Sequence, residues 1–438
     1  MKFKIAFRNT LKNWRHSLSA LLSLSAAFVS LVLFDGYMMD IKNMYSDNFR
    51  HRQMLGDIII ENKDLYSKDG IANPWKYWID QNDQEDLNRL IKSNEIQAQH
   101  VVRNLQFQGI ITNGFQSQIL TGRAFDIIEG EKVRGPNWSW NVTYGQPLDR
   151  YDNRFVAALG QGLAKKMGCD WIKDQNRLTF YGGYDQVEKN FNCTTKDLQI
   201  STTTVDGQLN AIDLQLVALL DAGYKDIDDR YISTSIEAAQ MLLNTNKITF
   251  LSMTILNPQN IKSAVEKLNS IFEKDKKYLI ATTWQNHRLG EMFRKTMDFL
   301  AIFRNFVLIV IVVVSTLSVL NTMIKFVKER TREIGTMRSI GFLTKDIVHI
   351  FFLESIFLSF IGTSIGAFLS LLLTFALNSA KILYKAGLLS EFVAFRIALS
   401  PVAYITAAIL LAFVGMIATY FATRQVVRSK IIENLNYA

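Results

Sequence analysis

Four long apolar stretches limit what this chain can become. Ser17 to Phe34 carries no charged residue in 18 positions, Phe306 to Ile324 none in 19, Val402 to Thr423 none in 22, and Ile350 to Leu377 only Glu354 in 28. A helix needs roughly 18 to 20 apolar residues to cross a hydrocarbon layer about 30 Å thick, because backbone N–H and C=O groups find no water there and must bond within the segment. Each run therefore predicts a transmembrane helix. The third would extend about 42 Å at ~1.5 Å per residue, so it is expected to tilt or to project beyond the bilayer. A cleavable signal peptide is the competing reading of the first run. Asp35, Gly36, Tyr37 and two methionines follow it instead of a small-x-small cleavage site, which favours a retained span.

Lysine and arginine beside the spans set the orientation. Met1 to His16 holds Lys2, Lys4, Arg8, Lys12 and Arg15 without an acid, Lys325 to Lys345 holds six basic residues against two acidic, and the tail adds Arg424, Arg428 and Lys430. Lys381 to Leu399 has the weakest excess, three basic residues against one acidic. Positive-inside bias then puts both termini and the connector 326–345 in the cytoplasm, with spans at 17–39, 299–325, 346–379 and 401–424, an outer loop at 380–400 and a tail at 425–438. Residues 40–298 must lie outside. They contain 31 basic and 33 acidic residues, so the +9 net charge of the chain sits on the membrane flanks. Basic residues crowded at membrane edges do not form the aromatic-interleaved face of a nucleic-acid binder.

The fold class that follows is an α-helical membrane protein of four transmembrane helices, with a large mixed α/β extracytoplasmic domain inserted between helices 1 and 2. In that domain Gly56 to Ile60, Phe107 to Ile111, Gln118 to Leu120, Leu214 to Leu219 and Ile248 to Ile255 are short β-branched or apolar runs bounded by Gly, Asn or Asp, which predicts strands. Asp83 to Lys92, Ser235 to Leu243 and Asn260 to Phe272 show helical spacing, the last begun by Pro258 and Asn260. Cys169 and Cys193 both fall outside, where a bridge is allowed, with two unpaired thiols as the alternative. Asn141-Val142-Thr143 and Asn192-Cys193-Thr194 fit the N-glycosylation pattern, a tripeptide that also arises by chance.

Catalytic chemistry leaves no trace. His-Glu-x-x-His, Cys-x-x-Cys and Gly-x-Ser-x-Gly patterns do not occur, and the five histidines are scattered, so no metal or cofactor site is read in the chain. Gly160-Gln161-Gly162-Leu163-Ala164-Lys165 lacks the Gly-x-x-x-x-Gly-Lys-Ser/Thr spacing whose backbone amides cradle phosphates, so these 438 residues are not expected to hydrolyse ATP.

One segment stands out. Lys328 to Phe342 is highly charged yet places Ile334, Met337 and Gly341 at helical spacing, with Glu329/Arg332 and Arg330/Glu333 as opposite charges three apart. It predicts a short interfacial helix, ended by Gly341 in the left-handed conformation and followed by a helix that Thr344 can cap. An ordinary positive-inside loop is the alternative. Glu354, a few residues into the third span, is read as a carboxylate at the headgroup level rather than as a buried polar link. Gly362 and Gly366 form a Gly-x-x-x-Gly face suited to close helix packing, and Phe28, Phe34, Tyr37 and Met38 are candidates to line a sideways entry between spans one and two.

One span, a large outer domain and three spans, with Glu329-Arg330-Thr331-Arg332-Glu333-Ile334-Gly335-Thr336-Met337-Arg338-Ser339-Ile340-Gly341 in the first cytoplasmic connector, resembles the FtsX-like permeases of the MacB and LolC/LolE class of ABC transporter. Ala6 to Ser17, Gly56 to Ile60, Ala222 to Asp228, Ala238 to Leu243 and Ile431 to Leu435 share in the likeness, which is weak from about Val101 to Asn210. The resemblance implies that residues 1–16 form an amphipathic cytoplasmic helix and that 326–345 is a coupling helix. On it Glu329, Arg330, Glu333, Gly335, Arg338 and Gly341 would dock a separate cytoplasmic ATPase subunit that holds ATP and Mg. It further implies a bacterial inner-membrane permease with a periplasmic domain, working beside a second copy or a homologous permease. The implied work is extraction or release of lipoproteins to a periplasmic acceptor. The alternatives are a non-transporting scaffold that regulates an envelope hydrolase or sensor, and an exporter of another hydrophobic or peptide cargo.

Overall fold

The computed structural model describes residues 14–93, 96–138, 142–172, 190–384 and 392–427. The head before Trp14, the tail after Val427 and Asn141, with the expectations placed on them, lie outside these residues. The chain divides into two compact units, one of residues 1–42, 297–382 and 395–438, the other of residues 43–296 and 383–394.

The first unit is a helical bundle. Its helices are α1 (Trp14–Asp47), α9 (Glu291–Glu329), α10 (Thr331–Ser339), α11 (Thr344–Ser379) and α12 (Pro401–Val427). α1, α9, α11 and α12 are long and apolar enough to cross a membrane, which makes this a multi-pass membrane protein. α1 and α9 run well past the apolar stretches that announced them, because a helix ends where its backbone groups find other partners rather than where hydropathy falls. Ala20, Leu24, Ala27, Phe28 and Leu31 of α1 are buried at spacings of three and four, against Val319, Met323 and Val327 of α9, Ile347, Phe351 and Leu358 of α11, and Ala407, Leu411 and Ala418 of α12. The remaining faces expose Phe303, Phe306, Ile309, Phe368, Phe375 and Ile405, as surfaces meeting lipid do.

Small residues set the helix spacing. A Cβ on Gly362 would lie 2.9 Å from Leu24 Cβ, and one on Gly366 would lie 2.8 Å from Phe28 Cβ and 3.0 Å from the Ser25 carbonyl oxygen, so this glycine pair brings α11 against α1. Ser23 and Ser318 hydroxyls meet at 2.7 Å between α1 and α9. Near residue 36 the chain after α11 returns to α1. The Ala398 N–H donates to the Gly36 carbonyl at 3.1 Å, and Tyr37 stacks on Phe395 with ring centroids 4.9 Å apart.

The second unit is α/β. Its strands are β1 (Ile58–Asn62), β2 (Ala98–Thr112), β3 (Ser117–Phe125), β4 (Val142–Gly145), β5 (Val156–Gly160), β6 (Cys169–Asp170), β7 (Asn192–Cys193), β8 (Asp197–Thr203), β9 (Leu209–Leu220), β10 (Tyr231–Ser235), β11 (Phe250–Ile255), β12 (Leu279–Thr283), β13 (Leu383–Tyr384) and β14 (Val393–Ala394). Its helices are α2 (Lys68–Ala72), α3 (Gln81–Lys92), α4 (Ile127–Trp138), α5 (Gln161–Lys166), α6 (Lys225–Asp228), α7 (Ile236–Leu243) and α8 (Ile261–Asp275).

Ten strands pair in the order β12-β1-β11-β2-β3-β10-β5-β9-β4, and β8 bridges β2 and β9. The pairings β2–β3–β10–β5–β9–β8–β2 thus close into a small ring. Closure leaves those strands without a free edge. Phe107, Ile111, Leu120, Ile200, Ile212, Leu214 and Ile232 from these strands are buried in one core with Leu268 and Phe272 of α8. Asp80 caps α3 by accepting from the Asp83 N–H at 2.8 Å, and Ser235 caps α7 through the Ala238 N–H at 3.1 Å. Cys169 and Cys193 are opposite each other in the β6–β7 pair and form a disulfide.

Candidate coupling surface

The charged connector becomes a helix with two unlike faces. α9 stops at Glu329, Arg330 leaves the helical geometry at φ −105°, and α10 starts at Thr331. α10 ends as its sequence predicts. Gly341 has φ +100°, its N–H donates to the Arg338 carbonyl at 3.1 Å, and the Phe342 N–H reaches back to the Met337 carbonyl at 3.0 Å. These two bonds make a Schellman termination, in which the left-handed residue is one that glycine adopts without strain. Met337 and Phe342 both pack on the bundle core, the apolar contact that accompanies this motif. The next helix is capped differently from the expectation. Leu343, not Thr344, is the cap residue, and the Asp346 carboxylate accepts its N–H at 3.3 Å, which leaves the Thr344 hydroxyl without that role.

Thr331, Ile334 and Gly335 face inward. Arg332, Glu333, Thr336 and Ser339 face outward, and the face ends in two apolar side chains, Ile340 at 74% exposure and Leu343 at 68%. Among the six residues expected to dock a partner, Glu329, Glu333 and Gly341 are exposed and Arg338 is half-buried. Gly335 is buried under the helix and is no surface residue.

Arg330 also departs from the expectation of a docking residue. Its Nη1 donates to both carboxylate oxygens of Glu354, at 3.0 and 2.8 Å, its Nε donates to Glu333 at 2.7 Å, and its guanidinium carbon lies 5.3 Å from the centre of the Phe351 ring. Burial works against the charged arginine, and the carboxylates of Glu354 and Glu333 more than offset it, so its pKa lies above the ordinary arginine value. Glu354, at 1% exposure, is therefore a buried polar link rather than a solvated carboxylate. The expectation failed because the chain folds Arg330 back over α11, where a lone buried carboxylate would otherwise be costly.

The lining candidates separate too. Phe28 is buried against Gly366 and meets Tyr404 edge-on at 5.7 Å, so it belongs to the bundle core and lines no entry. Phe34 and Tyr37 are half-buried, Phe34 with Phe303 at 6.3 Å, and Met38 is half-buried as well. Asp35 pairs with Arg304 at 2.8 Å beside them, which ties α1 to α9 at this level.

A cluster that the sequence did not reveal lies in the second unit, where residues 48–57 meet 221–224 and 284–293. Phe49 stacks on Trp284 at 5.7 Å and meets Phe293 edge-on at 6.0 Å. Around it Arg50 pairs with Asp57 at 2.7 Å and the buried Arg52 pairs with Asp221. His287 Nε2 lies 2.8 Å from Glu61, both buried. The signal that could have found it is the set Arg50, Arg52 and Asp57 beside the aromatic Phe49. Among the described residues no group of three or more His, Cys, Asp or Glu could hold a metal ion.

Residues 305–431 match the family described as FtsX-like permease C-terminal. An uncharacterized ABC transporter permease of Methanocaldococcus jannaschii is 25% identical over 272 residues, 60% of this chain and 64% of the relative. The macrolide export ATP-binding/permease protein MacB of Pasteurella multocida is 30% identical over 155 residues, 35% of this chain and 22% of MacB. The chain thus spans just under two thirds of the first relative and about a fifth of the second. The periplasmic region of MacB from Actinobacillus actinomycetemcomitans aligns with 56% of this chain and 92% of its own at 14% identity and a TM-score of 0.32. The extracellular domain of the noncanonic ABC-type transporter YknZ aligns with 52% of this chain and all of its own, also at 14% identity and 0.32.

Proposed function

We propose, with an FtsX-like permease domain at residues 305–431 as the premise, that this chain is the permease subunit of an ABC transporter and is driven by a separate ATP-hydrolysing subunit. The observation that carries the reading is the outward face of α10, inside that domain. Its exposed charges give specificity, and Ile340 and Leu343 at its end give an apolar patch that the protein leaves unburied. The partner supplies ATP and Mg. The 438 residues contain no Gly-x-x-x-x-Gly-Lys-Ser/Thr pattern of their own. In this reading a second copy or a homologous permease completes the assembly. Positive-inside bias places α10 in the cytoplasm and the α/β unit in the periplasm.

The cargo we favour is a lipoprotein released from the membrane. Phe34 with Phe303 and Tyr37 with Phe395 form an aromatic rim at one end of the bundle, which suits an acyl chain leaving lipid. The likeness to MacB supports a second reading, export of a macrolide-like compound. Proteoliposomes holding the permease and its ATPase separate them. ATP is expected to release a triacylated reporter lipoprotein to the soluble fraction at least tenfold faster than ADP, while a fluorescent macrolide is not moved. Transport of the macrolide with no release of any lipidated cargo would reject the lipoprotein reading.

A further inference from the structure

Buried ion pairs add little net stability, since desolvating two charges consumes most of their attraction, and well-packed apolar residues can often replace them. What such a pair does is fix geometry. A guanidinium fork on a carboxylate sets both distance and direction, whereas apolar surfaces can slide on each other. Arg330 is placed to use this property. It occupies the non-helical joint between α9 and α10, and its side chain reaches Glu333 on α10 while gripping Glu354 and covering Phe351 on α11. Glu354 lies ten residues beyond the start of α11, about 15 Å along its axis at ~1.5 Å per residue, so the link bypasses the Gly341 turn. Of the three charged groups only Glu333, its side chain 60% exposed, reaches the surface.

From this arrangement we infer that Arg330 is a positioning residue that makes α10 and α11 move as one body, so that a displacement imposed on the outward face of α10 is delivered to the third span. The Gly341 turn, held by two backbone bonds and by the packing of Met337 and Phe342, has open space beside the glycine itself, so it fixes the direction of α10 on α11 less firmly than a guanidinium fork does. The inference rests on the docking role proposed for α10, but its mechanical half does not need a partner.

The test uses the full chain in lipid nanodiscs with spin labels at the exposed positions Thr336 and Phe360, and compares Arg330→Met/Glu354→Leu with the unaltered pair. This double substitution removes both charges and keeps apolar volume, so folding is expected to survive where a single loss would strand a buried charge. Glu354→Gln and Arg330→Lys are the milder companions. The expected result is a narrow distance distribution with the native pair and one at least twofold broader in the double variant. In the unlabelled chains, binding of an ABC ATPase subunit should stay within about threefold while its stimulation falls at least tenfold. Arg330→Lys, which keeps the charge without the fork, should fall between. Equal distance widths and full stimulation in the double variant would show the pair to be packing only. Loss of ATPase binding in step with stimulation would assign Arg330 to docking. If the native chain binds no ATPase, the proposed function fails, and the label distances still decide the brace.

Discussion

Replacing Ile340 with aspartate is expected to weaken binding of the ATP-hydrolysing partner by about 100-fold or more while the chain still inserts and folds. Ile340 is 74% exposed at the end of α10, so the substitution removes nothing from the core, and any large effect must come from a surface that binds something. A charge placed at the apolar centre of an interface costs about 3 kcal/mol, the scale of an interface hot spot and about two decades in Kd. Leu343→Asp should act alike. Glu329→Ala, at the charged rim, should change affinity only a few-fold, because exposed ion pairs contribute little. Glu333→Lys is a poorer probe than it looks in the sequence, since Glu333 also holds Arg330 and a change in turnover would mix docking with the brace. Affinity measured by surface-immobilised titration in detergent, with the mobility of each variant on a sizing column, checks the prediction. An Ile340→Asp chain that binds with native affinity would remove α10 from the interface.

Gly366→Leu should disrupt the bundle strongly. A Cβ at this position would already sit within 3.0 Å of Phe28 Cβ and the Ser25 carbonyl, neither of which is the free end of a flexible side chain, so α1 and α11 must separate. Overpacking of this kind costs about 3 kcal/mol, and the thermal midpoint of the purified protein is expected to fall on the order of 5 to 10 °C. Ser364→Leu on the exposed face of the same helix is the control and should leave the midpoint unchanged. Nearly equal midpoints for the two variants would mean that the glycine pair does not set the helix spacing.

Much of the molecule was readable because its strongest signals are local. Apolar runs predicted four spans, and Gly341 predicted the end of α10, since hydropathy and backbone conformation need no distant partner. β1, β2, β3, β9 and β11 were visible as apolar or β-branched runs. Val156–Gly160 and Tyr231–Ser235 were not, because the first is as rich in alanine and leucine as a helix and the second is short and polar. Ring closure was beyond reach, as β8 meets β2 across some ninety residues of chain.

The site was legible in outline and wrong in detail for the same reason. Spacing in the connector showed Arg330 three residues before Glu333, but the pairing with Glu354 reaches past a turn to the next helix, and no periodicity records it. Read by sequence, arginine and glutamate near a membrane edge look like solvated charges. Phe28 was misassigned because a span that is apolar all round does not declare which face is buried. Its neighbours on the opposing helices, Gly366 and Tyr404, decide that.

ATP turnover in nanodiscs tests the central claim most directly, measured for the purified chain alone and for the chain with its ATPase subunit. Turnover is expected to stay at the empty-disc background for the chain alone and to rise severalfold over the free ATPase when both are present, with the rise lost in Ile340→Asp. Turnover by the chain alone, or an ATPase whose rate ignores the chain, would contradict the reading of this protein as a lever worked by a partner's fuel.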